Sequence, residues 1–197
     1  MVLASQSPRR SDLLAQAGVS FSVRPSAIVE IRRFNEPARE YVTRLSVEKA
    51  SATARTDFEG VLAADTTVVA IESGVEMVLE KPGSHSDARS MLSALSGRSH
   101  SVLTAICFQW QGQTWQHLEE TNVVFSTMSD LEIEQYIHSG EPFDKAGGYG
   151  IQGLASRFIS KIEGCYFNVV GLPIHQVYRV FKAAGVLLTD ENPSRAS

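Results

Sequence analysis

Met1-Val2-Leu3-Ala4-Ser5-Gln6-Ser7-Pro8-Arg9-Arg10 opens the chain, and its reading decides the fold. A short apolar run breaks into small hydroxyl residues and then a Pro-Arg-Arg step, which predicts a strand, a tight turn and a helix start. Ser7 suits the N-cap, and Pro8 suits the first helical position, where a missing N–H is no loss. Leu13, Leu14 and Ala17 give the helix an apolar face, and Gly18 ends it. Orphan N–H groups at a helix N-terminus favour negative charge. Two arginines beside them work against the helix dipole unless a phosphate or carboxylate joins them. The same residues also read as two solvated arginines on a surface helix.

Working outward, strand-like and helix-like segments alternate without repeats, low-complexity blocks or a linker. Phe21–Arg24 reads as a second strand and Asn35–Arg55 as a long helix. Val61–Ala64 and Thr67–Ile71 are two apolar runs separated by Asp65-Thr66, and Glu72-Ser73-Gly74 turns the chain back into Val75–Leu79. Ser86–Leu95 reads as a helix closed by Gly97. Val102–Trp110 and Thr114–Phe125 form a long hairpin turned at Gln111-Gly112, the antiparallel part of the sheet. Ser129 and Glu132 make a capping box for a helix ending at Gly140. Pro173–Ala184 is a last amphipathic helix, and the polar tail from Thr189 reads as disordered. This order predicts an α/β protein: a mixed central sheet with flanking helices and two lobes around a cleft.

Composition narrows the class of partner. With 197 residues and 43% hydrophobic content, the chain can bury roughly 70% of its unfolded surface. A net charge of -4 and a pI near 5.7 disfavour a broad nucleic-acid footprint, so a phosphate ligand must meet a local basic cluster. Cys107 and Cys165 have no metal-binding or redox spacing and read as reduced structural thiols. No run of eighteen apolar residues occurs, nor a signal-peptide core, so the reading is no membrane contact and a cytoplasmic protein.

The polar residues that interrupt apolar segments carry the chemistry. Asp65 between two apolar runs is costly to desolvate unless it meets a cation, a water or a donor. It reads as a base, a metal ligand, or a strand-ending carboxylate bonded to a turn. Lys49 beside Glu48 reads locally as part of a solvent-facing charge pair. Lys81 is held extended by Pro82 at a strand end. Ser139 to Gly153 packs five glycines between two elements and suits either close approach to a ligand or a flexible connector.

Leu3-Ala4-Ser5-Gln6-Ser7-Pro8-Arg9-Arg10, Ala64-Asp65-Thr66, Glu80-Lys81-Pro82, Gly140-Glu141-Pro142 with Asp144-Lys145-Ala146-Gly147, Ile151-Gln152-Gly153, and Asn168-Val169-Val170-Gly171-Leu172-Pro173 resemble the Maf-type nucleotide pyrophosphatases. The resemblance runs from residue 3 to about 185, with the motifs in the family's order and spacing. It implies a fold akin to inosine triphosphate pyrophosphatases, a single two-lobed domain over residues 1–188 and a tail over 189–197. It also implies a divalent cation, Mg2+ or Mn2+, cleavage of nucleoside triphosphates to monophosphate and pyrophosphate, and a cytoplasmic, often homodimeric protein.

Carried over by position, Asp65 matches the family's proton acceptor. Ser5, Arg9, Arg10, Glu30, Lys49 and Lys81 match polar residues on the phosphate side of the cleft. Of these, Glu30 is the leading metal ligand, with Asp65 either joining it or acting on water directly. Arg9, Thr66 and Gln152 carry substrate choice, linked in this branch to dTTP and UTP. A carboxamide matches the O4 acceptor and N3–H donor of thymine or uracil. The chain departs from the family pattern in two places: Ala27-Ile28-Val29 precede Glu30 where an Asp-rich stretch is usual, and Cys165 stands where a small hydroxyl residue is common. Alternative readings are the sister activity on 7-methyl-GTP and a non-catalytic nucleotide-binding regulator of cell division. Clearance of modified nucleotides before they enter nucleic acids would suit the enzyme reading.

Overall fold

The β-branched segment from Val61 onward forms one unbroken strand rather than two runs. In the computed structural model, which describes residues 1–186, β3 spans Val61–Glu72 straight through Asp65-Thr66. Parallel to its first residues lies β1 (Val2–Leu3), flanked in turn by β2 (Ser22–Val23). Antiparallel neighbours complete the sheet: β4 (Val75–Leu79), β5 (Ser99–Trp110), β6 (Gln113–Phe125) and β7 (Ile159–Glu163). The strand order is β2-β1-β3-β5-β6-β7, with β4 beside the second half of β3. The expected mixed sheet is therefore present. Ser73 and Gly74, and likewise Gln111 and Gly112, have positive φ, the pattern of two-residue hairpin turns whose twist matches the strands they join.

Alternation along β3 divides the packing. Val61, Ala63 and Val69 face α2 (Ala38–Ala52) through Ala50, Ala38 and Val42. On the other face, Leu62 and Ala64 pack with Leu13 and Leu14 of α1 (Pro8–Gln16) and Val177 and Phe181 of α6 (Ile174–Ala183). Val68 and Ala70 belong to a second core built with α3 (His85–Leu95) and α4 (Asp130–His138). These two cores on one face are the two lobes. A short helix, α5 (Tyr166–Val170), lies where they meet. There, buried Asn168 donates through Nδ2 to the Val102 carbonyl and to Thr121 Oγ1, both at 2.9 Å.

Several local expectations are corrected. The long helix starts at Ala38 rather than Asn35, because Pro37 has an extended backbone and serves as its N-cap. The Ser7 hydroxyl caps nothing. Ser7 holds the N-cap position, while its own N–H donates to Ser5 Oγ at 3.2 Å. The capping box of Ser129 and Glu132 forms as expected. Strand β7 and helix α5 were not anticipated, and the tail from Thr189 lies outside the described residues.

The segment before α2 is pinned by an ion pair. Buried Glu36 receives Arg44 Nε at 2.6 Å and Nη2 at 2.7 Å, and the Arg33 N–H at 2.9 Å. These bonds hold its carboxyl down to about 2. A depressed folded-state pKa contributes stability above the ordinary carboxylate range, near 4.3, and loses it as pH falls towards 2. Urea unfolding at a series of pH values should show stability falling between about pH 5 and pH 2. Glu36→Gln should be less stable at pH 7 and flatter across that window; identical slopes for both proteins would refute this role.

Candidate active site

The cleft arises from a gap in the sheet. β1 pairs with β3 only at Val61 and Leu62, and β4 begins pairing at Val68. From Ala63 to Thr67 this edge of β3 has no strand beside it, so its carbonyls need other donors. Arg10 supplies one. Its Nη1 donates to the Ala64 carbonyl at 2.8 Å and to Ser5 Oγ at 3.3 Å, Nε to the Gly171 carbonyl at 2.8 Å, and Nη2 to Thr66 Oγ1 at 2.9 Å. Four of the five guanidinium donors are thereby engaged. Thr66 in turn shares a 2.9 Å bond with Thr104 Oγ1, and Thr104 donates to the Asn168 carbonyl at 3.1 Å.

A cavity of about 650 Å³ opens over this gap. It is lined by every residue expected at the site: Ser5, Arg9, Arg10, Glu30, Lys49, Asp65, Thr66, Lys81 and Gln152. Lys49 corrects its local reading, since Glu48 turns outward to Arg44 while Lys49 is 7% exposed. Its ammonium donates to Asp65 Oδ1 at 2.6 Å and lies 2.9 Å from Glu30 Oε2. Burial pushes the Asp65 carboxyl above the usual aspartate range, while Lys49 and Arg10 pull it back. Removing two ions from water costs several kcal/mol each, which largely offsets their attraction. The buried Lys49–Asp65 pair is thus a weak source of stability, and its place in a cleft wall fits a chemical role.

The opposite wall is the glycine-rich segment, which is ordered rather than a loose connector. It folds into short 3-10 turns over Glu141–Asp144, Ala146–Gly148 and Leu154–Phe158. Gly147 has φ 68°, and a Cβ there would press into Val68. Gly153 lies so close to the Glu141 carboxylate that any side chain would overlap it. That carboxylate accepts from the Leu154 N–H at 2.8 Å and from Tyr136 Oη at 3.0 Å, anchoring the turn that carries Gln152. Ile151 packs inward at 8% exposure, leaving Gln152 exposed at the cleft. Asp144, Lys145 and Tyr149 also line the cavity and had been given no role. Asp144 pairs with Arg9 at 3.1 Å. The motif Asp144-Lys145-Ala146-Gly147 was the signal that could have placed them. Lys81 is exposed to the cleft and has no ion-pair partner among the described residues. Cys165 is half-buried and free; its backbone bonds Thr121 Oγ1, and it stands outside the cavity lining.

An α/β protein with a cation-lined cleft and a buried carboxylate beside a lysine defines a class built to hold a polyanion and move a proton near it. The chain belongs to the Maf family: the family profile, described as Maf-like protein, matches residues 1–184. A protein of Koribacter versatilis named dTTP/UTP pyrophosphatase is 47% identical over 190 residues, covering 95% of each chain. One of the same name from Vibrio parahaemolyticus is 48% identical over 179 residues, covering 89% of this chain and 92% of that one. A solved structure from Mycobacterium abscessus, titled nucleoside-triphosphatase / dITP/XTP pyrophosphatase, covers 94% of this chain and 96% of its own at 13% identity and TM-score 0.41, a likeness too remote to build on.

Arg10→Lys should keep the charge but lose the fork that holds the Ala64 and Gly171 carbonyls and Thr66. Urea unfolding should register a loss of about 2 kcal/mol, the scale of leaving buried acceptors without donors. A variant as stable as the parent would show that the fork does not hold the gap.

Proposed function

We propose that this protein hydrolyses dTTP and UTP to the nucleoside monophosphate and pyrophosphate. One observation carries the reading: Asp65, buried and held by Lys49 through Oδ1, has no hydrogen bond to Oδ2 among the described residues and lies in the wall of a cationic cleft. The names of the relatives supply the reaction.

In this mechanism Oδ2 of Asp65 takes a proton from a water molecule as its oxygen attacks the α-phosphorus. Burial makes that carboxylate a stronger base than an exposed one. The bond from the α-phosphorus to the bridging oxygen breaks, and pyrophosphate leaves with the electron pair. Lys49, Lys81 and Arg9 face the phosphates and offset their charge. Arg10 and Ser5 hold the Ser5–Arg9 turn against β3. Glu30 and Asp65 meet at one ammonium and each keeps an oxygen free of it, so two carboxylates are available for a divalent cation. Such an ion, Mg2+ or Mn2+, would be held by Glu30 and Asp65 and would supply positive charge for the phosphate oxygens. Gln152 can present its N–H to O4 of the base and its carbonyl to N3–H, and Thr66 lines the same cavity.

No described helix is long and apolar enough to cross a membrane, and both cysteines are free. These features support a cytoplasmic enzyme, and the net charge of -4 supports free nucleotides over nucleic acid as its substrate.

Pyrophosphate release from a panel of standard and modified triphosphates, with magnesium or manganese, tests the reaction. Asp65→Asn should lower dTTP and UTP turnover by on the order of a hundredfold while leaving the fold intact. Preference for 7-methyl-GTP would move the protein to the sister activity, and no turnover of any nucleotide would replace catalysis with binding. Gln152→Ala should reduce discrimination between UTP and CTP by about tenfold, more than it slows the better substrate. Equal losses for all bases would remove Gln152 from base recognition.

A further inference from the structure

A second cluster of chemistry-bearing side chains lies away from the cleft, where the first turn of α3 meets the last turn of α4. His85 begins α3, and Glu134 and His138 are one turn apart on α4. One ligand atom from each lies within 4.8 Å of the others. None of the three lines the cleft. We propose that His85, Glu134 and His138 form a site for a divalent first-row transition metal, zinc in first place, that clips α3 to α4.

Two imidazoles and one carboxylate are a donor set that zinc accepts, leaving a fourth position for water. His138 is already prepared. Its Nδ1 lies 2.7 Å from the Glu134 backbone carbonyl, and a carbonyl only accepts, so the proton sits on Nδ1 and the Nε2 lone pair is free. The two rings stand at 76° with centroids 5.5 Å apart. His85 Nε2 lies 3.2 Å from Glu134 Oε2. Tetrahedral bonds of about 2.1 Å place ligand atoms about 3.4 Å apart, which modest rotation of these solvent-accessible side chains can reach.

Charge also suits a cation. Arg89 bonds the other oxygen of Glu134, Oε1, and reaches Asp130 at 3.0 Å. With the histidines neutral, two carboxylates face one guanidinium, a net charge of about -1. Arg89 orients the ligand carboxylate from behind while Oε2 remains for the ion, as hydrogen-bonded partners of metal ligands commonly do. His138 sits at the C-terminal end of α4, where the helix dipole favours positive charge.

The placement has a consequence for the cleft. Lys81 lies just before His85 in the chain, and the cleft-lining segment from Asp144 to Gly153 follows His138. A metal clip would hold together the two helices from which these wall segments extend. Other ties are the Arg89 ion pairs and the 2.7 Å bond from the Met128 N–H to Ser96 Oγ.

Calorimetric titration of the full chain with zinc chloride, alongside Asp65→Asn, His85→Ala and His138→Ala, tests the site. Expected are one equivalent bound by Asp65→Asn and the same equivalent present in the parent, affinity for it at least tenfold weaker in each histidine variant, and a zinc-dependent rise in Tm that a chelator reverses. Circular dichroism checks that the histidine variants stay folded, and cobalt substitution reports tetrahedral coordination. Zinc binding that is lost in Asp65→Asn and intact in the histidine variants would assign the metal to the cleft and overturn the proposal. Absence of saturable binding by the parent would overturn it as well.

Discussion

An interrupted strand edge governs this molecule. β3 gives up its parallel neighbour after Leu62 and gains an antiparallel one only at Val68. An exposed backbone edge must be hydrated, covered or bonded. Here the chain that leaves β1 returns at once as α1 and puts Arg10 against the open edge. The same gap lets Asp65 sit mid-strand, on the face covered by α2, and still reach the cleft. From that helix comes a counter-charge at 2.6 Å, Lys49. Close the edge with another strand, and neither the guanidinium nor the cavity has a place.

The two lobes follow from the same interruption. Leu62 and Ala64 belong to the core with α1 and α6, and Val68 and Ala70 to the core with α3 and α4. Thr66 falls between them on that face. Polar groups fill the seam between two apolar clusters, and each is bonded to its neighbour: Arg10, Thr66, Thr104 and Asn168. Buried networks of this kind stabilise to the extent that they are satisfied; each member here is bonded to the next, while Asn168 Oδ1 has no partner among the described residues, and the bonded chain ties the site's geometry to the packing of both lobes.

Much of the fold was legible because hydrophobic period and turn chemistry agree. The two hairpins, the capping box and the proline-led first helix were all visible in local pattern. What stayed hidden depends on distant partners. Asp65-Thr66 looks like a break in β3, since nothing nearby in sequence announces Lys49 or Arg10. Lys49 looks solvent-facing beside Glu48, yet one residue of helix turns it by about 100° towards the sheet. Ile159–Glu163 is a half-buried edge strand with Ser160 and Lys161 at its centre, too weak a pattern to stand alone. Tyr166–Val170 is rich in aromatic and β-branched residues that disfavour helix locally, and buried Asn168 draws it into one by bonding β5 and β6. The site residues were legible mainly through their motifs, because their individual chemistry admits ordinary surface roles.

The seam between the lobes also has a direction. Thr104 gives its hydroxyl proton to the Asn168 carbonyl, so in the bond between the two threonines it can only accept, and Thr66 must be the donor. Arg10 meanwhile occupies one lone pair of Thr66. The hydroxyl facing the cleft therefore has its proton already engaged and offers an incoming molecule a lone pair alone. A threonine, ordinarily indifferent between giving and receiving, becomes a one-way contact, and its polarity is dictated by an asparagine carbonyl two bonds deeper in the protein.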